Sequence, residues 1–152
     1  MEYQIGALLA LAVCLFVALL GLDRDRALYP TMAIVVASYN GLFALTGNSP
    51  GVLLHELPGI AVFVGMAAVG FRINLWYAVA ALAGHGVFDG FHGQLIANPG
   101  VPEWWPGFCL AFDVVAAIWL AGVLLCSRVA ARPVQPRLPE PDFSRRIRPY
   151  VD

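Results

Sequence analysis

Residues 76–96 read WYAVAALAGHGVFDGFHGQLI, a run long enough to cross the roughly 30 Å hydrocarbon core of a bilayer as a helix, yet interrupted by His85, Asp89 and His92. On insertion scales a charged residue near the centre of a membrane helix costs roughly 2.5–3.5 kcal/mol, so such a group implies partners that compensate it. Spaced i, i+4 and i+7, the three project from one face of a helix and span about 10 Å of its axis. The fold and the site both turn on whether the rest of the chain supplies those partners.

The flanking sequence is as apolar as this run. Of the 152 residues, 60% are hydrophobic and only 12% charged, with a mean hydropathy of +0.74. Ordinary soluble domains carry about 25% charged residues, so the composition excludes one and points to an integral membrane protein. Apolar segments at 5–22, 27–47, 51–71, 75–96 and 107–127 predict an all-α, five-helix transmembrane bundle occupying residues 1–129 as one domain. Turn-type links separate them: Asp23-Arg24-Asp25-Arg26, Asn48-Ser49-Pro50, Arg72-Ile73-Asn74, and the longer 97–106. Residues 130–152 hold five prolines and several arginines and predict an extended cytoplasmic tail. A net charge of −1 with no basic cluster among the helices leaves no nucleic-acid partner to expect. The partners expected are the lipid bilayer and a lipid or other apolar small molecule.

Orientation follows from charge. The chain has no lysine, and its nine arginines fall after the first, third or fifth apolar segment: Arg24 and Arg26, Arg72, then six from Arg128 onward. Positive residues are retained in the cytoplasm, so this parity predicts an N-terminus outside and a C-terminus inside. The first segment lacks a positive n-region and is followed by arginine, so it reads as a retained helix rather than a signal peptide.

With that topology, helix rise places polar residues by depth. His85, Asp89 and His92 on the fourth helix, Asp113 on the fifth, His55 and Glu56 on the third, and Tyr39 and Asn40 on the second all fall in the outer half. The inner half has almost none. Residues at equal depth on packed helices can converge, so one outward-facing polar chamber is expected. Mixed histidine and carboxylate side chains suit Zn²⁺, or alternatively Fe or Mn. The metal ligands expected are His85, Asp89, His92 and Asp113. A straight helix strains to bring both histidines to one ion, so Asp89 with one histidine forms the nearest pair. Glu56 is the candidate general base and, with Asp113, the catalytic set; Tyr39, Asn40, His55 and Cys109 are possible supporting residues. Cys109 lies one helical turn from Asp113, and none of Cys14, Cys109 and Cys126 forms a C-x-x-C pair. Gly86, Gly90 and Gly93 make a small-residue stripe beside the polar face, suited to close packing on another helix or on a second copy as a homo-oligomer.

Arg26-Ala27-Leu28-Tyr29-Pro30, Ala37-Ser38-Tyr39-Asn40, and Gly84-His85-Gly86-Val87-Phe88-Asp89 continuing through His92, Val101-Pro102, Trp104-Trp105-Pro106, Phe108-Cys109 and Asp113 resemble small uncharacterised bacterial polytopic membrane proteins. The resemblance covers most of the chain except its ends. It implies a multi-helix fold in a bacterial cytoplasmic (inner) membrane and supplies no activity. A looser similarity is to the alkaline ceramidase and progestin-receptor-like hydrolases, which hold zinc with histidines and an aspartate between helices; this chain has fewer helices and a different histidine spacing. The function expected is a metal-dependent, hydrolase-like enzyme acting on a lipid or apolar substrate. The alternatives are a structural or accessory subunit of a membrane complex, and a proton or cation relay or carrier.

Overall fold

The computed structural model describes residues 1–47 and 49–126, and these fold into five α-helices with no strand among the described residues. The helices are α1 (Glu2–Leu19), α2 (Leu28–Thr46), α3 (Pro50–Arg72), α4 (Trp76–Leu95) and α5 (Trp105–Leu125). The expectations for Asn48, for residue 127 and for the 130–152 segment lie outside the described residues.

Four helices, α1, α2, α3 and α5, are long and apolar enough to cross a membrane. The fifth, α4, matches their length at 20 residues but not their apolarity, because it carries His85, Asp89, His92 and Gln94. Its neighbours account for this: α4 packs against α5, α3 and α2, and His85, Asp89 and His92 are all buried. The polar face is shielded by protein, as membrane-embedded charges require.

All ten helix ends shift by one to three residues from their expected positions, and two of the shifts have a local reason. α1 stops at Leu19 instead of residue 22, because Gly21 adopts a left-handed conformation (φ 72°) that other residues avoid, and a short 3₁₀ turn over Leu22–Arg24 follows. α5 starts at Trp105 rather than 107, with Pro106 in its first turn, where a missing N–H costs no intrahelical bond. Pro58 sits inside α3, which begins with Pro50.

Small side chains set the interhelical spacing. Ala33, Ala67, Ala81, Ala116 and Ala117 are buried in one core cluster with Cys14, Leu82 and Cys109. In lipid there is no hydrophobic force between helices, and close contact of small residues supplies the packing instead. Tyr29, Leu75, Ala78 and Leu120 form a second cluster with Val123 and Leu124. At that end of the bundle Arg26 donates from Nη2 to the carbonyls of Phe71 (3.0 Å) and Gly70 (3.4 Å), tying the α1–α2 link to the end of α3. The α4–α5 loop lies at the opposite end. There Asn98 reaches α2 and α3, and Gly100 is pressed so closely on the Phe43 carbonyl that no Cβ could be accommodated.

Candidate functional site

Two buried polar groups occupy the half of the bundle toward the α4–α5 loop. The first centres on His85, whose Nδ1 donates to Asp113 Oδ2 at 2.7 Å and lies 3.8 Å from Asp89 Oδ2. Cys109 Sγ stands 3.8 Å from the same Asp113 oxygen, as expected of residues four apart on one helix face. Asn40 on α2 donates from Nδ2 to Asp89 Oδ1 at 3.0 Å. Phe63 of α3 packs edge-on against the His85 ring, with centroids 5.0 Å apart. His85, Asp89, Asp113 and Cys109 are each at most 2% exposed.

The second group lies closer to the loop. His92 Nε2 is shared between both oxygens of Glu56, at 2.9 and 3.0 Å, and Asn98 donates to Glu56 Oε1 at 2.8 Å. Asn98 also donates to the Asn40 carbonyl at 3.1 Å, and its own Oδ1 accepts from Gly100 N. Asn40 and Asn98 therefore link the two groups. A cavity of about 370 Å³ lies beside His92 beneath the loop, bordered by Ile96, Asn98, Pro99, Pro102 and Glu103.

Residues from four helices come together here, though not all of those expected. Asn40, Glu56, His85, Asp89, His92 and Asp113 converge; His55 and Tyr39 do not. His55 is exposed and its ring Nδ1 bonds the carbonyl of Gly51 in its own helix. Tyr39 stacks on Phe43 and meets Trp105 edge-on along a different side of α2. Successive residues on a helix point about 100° apart, so the neighbour of an inward-facing Glu56 or Asn40 must face elsewhere.

The cluster also sorts the expected ligands. His85, Asp89 and Cys109 offer ligand atoms that all lie within 4.8 Å of one another. His92 is occupied by Glu56 in the second group. In a tetrahedral zinc site, ligands at about 2.1 Å from the ion stand about 3.4 Å apart, close to the 3.8 Å spacings of His85 to Asp89 and of Cys109 to Asp113. The 2.7 Å His85–Asp113 pair is shorter, and there a cation would replace the proton the two share. Three atoms of this group, His85 Nε2, Asp89 Oδ2 and Asp113 Oδ1, are buried with no hydrogen-bond partner among the described residues. Leaving such an atom unsatisfied costs roughly 1–3 kcal/mol, which marks the group as a place for an ion or another polar ligand.

The glycine stripe is used within the chain at two of its three positions. A Cβ on Gly86 would meet Asp113 Cβ at 3.0 Å and the Leu110 carbonyl oxygen at 3.1 Å, so this glycine lets α4 approach α5 closely enough for His85 to reach Asp113. Gly90 faces Leu110 at ordinary contact distance, and Gly93 faces open space. One residue the sequence did not single out, Asn98, proves central. Its signal was an amide side chain before proline in a loop that carries one other polar side chain, Glu103.

No protein-family model, curated protein or solved structure matches this chain.

Proposed function

We propose that the protein is a membrane-embedded, metal-dependent enzyme of hydrolase type acting on a lipid or other apolar substrate. The observation that carries this reading is the buried His85–Asp89–Cys109 group with Asp113 beside it, three of whose polar atoms lack partners. Nitrogen, carboxylate and thiolate donors together suit Zn²⁺, with Fe as the alternative; a sulfur ligand argues against Mn. A zinc ion with an open position lowers the pKa of bound water to about 7 and so supplies hydroxide. Glu56, with His92, is the acid–base pair closest to the water-facing loop, and Asn40 and Asn98 hold it in register with Asp89.

The arginines support an N-terminus outside, a C-terminus in the cytoplasm and a place in a bacterial cytoplasmic membrane. Arg26 meets the end of α3 at one end of the bundle, opposite the α4–α5 loop. With that end inside, by the retention of positive charge, both polar groups lie in the outer leaflet and α4 spans with its neighbours.

A second reading, a structural or accessory subunit, is favoured by one observation: His85 bonds Asp113 and His92 bonds Glu56 across helices. Elemental analysis of protein purified from metal-replete cells separates the two. The enzyme reading expects about one transition-metal ion per chain, lost in Asp89→Ala; metal-free protein refutes it.

A further inference from the structure

α1 packs along α5 rather than along α2, and this leaves a slot between α1 and α2 with α5 as its floor. The slot has a volume of about 520 Å³, within the roughly 300–1,000 Å³ of ligand sites. Its walls are apolar, including Leu9, Met32, Val36, Phe108 and Phe112, and it runs along α2 from Leu28 to Tyr39. The eleven steps between them rise about 16 Å, so the slot lies parallel to the helices and to the lipid chains around them. Spread over that length, its volume gives a cross-section of about 30 Å². A methylene chain with carbon contacts near 4 Å occupies roughly 20 Å², so the slot has the width for one extended chain.

Two features make this more than a lipid-facing furrow. Its rim is continuous with the bilayer-facing surface, since Leu9 (45% exposed) and Val35 (48%) belong to both. Its floor is continuous with the polar centre, since Cys109 lines the slot and also contacts Asp113. The Cys109 thiol therefore stands between the slot and the Asp113 carboxylate that holds His85.

We propose that the slot holds the single acyl chain of a lipid drawn sideways from the bilayer, with the lipid's polar end meeting the His85–Asp89–Asp113 group past Cys109. This rests on the reading of that group as a metal centre and names the substrate class it serves. Moving a chain from lipid into an apolar slot gains no hydrophobic energy, so selection comes from the width of the slot and from the polar end.

The test uses the full chain in lipid nanodiscs with a palmitic acid carrying a photoactivatable group in its chain, followed by peptide mapping. Labelling should concentrate on Met32, Val36, Phe108 and Phe112 and fall at least fivefold in Val35→Trp and in Thr31→Trp, which fill the slot from its exposed rim. Labelling at lipid-facing Leu54 on α3 should not change. Equal labelling of all lipid-facing helices, or slot labelling unaffected by either variant, overturns the proposal. A diacyl phospholipid probe that labels the slot as well as the fatty acid overturns its single-chain form. Metal content of the same samples separates the two readings: metal without slot labelling refutes the slot alone, and slot labelling without metal refutes the metal centre alone.

Discussion

Replacing Glu56 with leucine, similar in size but unable to accept a hydrogen bond, tests whether the loop-side group holds the bundle together. Glu56 is 1% and His92 2% exposed, so water cannot take over the His92 donor that the substitution strands. His92 Nε2, which spans both carboxylate oxygens, loses its acceptor, and Asn98 Nδ2 keeps only the Asn40 carbonyl. Interhelical hydrogen bonds in membranes average about 0.6 kcal/mol and reach about 1.7, because the membrane-bound unfolded chain finds other partners. Removing one member of a buried pair in water-soluble proteins costs about 3–5 kcal/mol. The bidentate geometry and near-complete burial place Glu56→Leu between these limits, at about 3 kcal/mol, with about two-thirds from His92 and the rest from Asn98. That is roughly a 100-fold change in the folding equilibrium. It can be measured by reversible unfolding in mixed micelles followed by far-UV circular dichroism. In Glu56→Leu/His92→Phe no imidazole is stranded, and the double variant should regain more than 1 kcal/mol relative to the sum of the single changes. A loss under 0.5 kcal/mol, or strictly additive single variants, would refute the assigned pairing.

Three further outcomes follow from the geometry. Asp113→Asn keeps shape but removes the charged acceptor of His85, and should weaken zinc binding by about 10–100-fold in a competition titration. Gly100→Ala places a methyl against the Phe43 carbonyl, so the loop must lift; stability should fall by about 1–3 kcal/mol and His92 should become accessible to imidazole-modifying reagents. In a Cys126→Ser background, leaving only the buried Cys14 and Cys109, Ile73→Cys and Glu103→Cys should react with membrane-impermeant thiol reagents from opposite sides of intact cells, Glu103→Cys from outside; labelling from one side refutes the topology.

Hydropathy alone dictated the helical class and the number of helices, because in hydrocarbon a backbone must satisfy its own hydrogen bonds and a helix does so within each segment. Regular helix rise then placed Asn40, Glu56, Asp89 and Asp113 in the same half of the bundle, with Asp113 at about the depth of Asp89. Depth is one coordinate of three, however. The angle around each helix decided that Glu56 faces inward and His55 outward, and that Asn40 meets Asp89 while Tyr39 meets Trp105. Tertiary packing also divided the His85, Asp89 and His92 of a single helix face between two groups, because Asp113 and Cys109 stand opposite His85 while Glu56 stands opposite His92. It made Cys109, a minor residue by sequence, the boundary between the apolar slot and the polar centre, and gave Asn98 its linking role. Such placements depend on which helices are neighbours and how closely glycines such as Gly86 let them approach, contacts between segments that no local periodicity encodes.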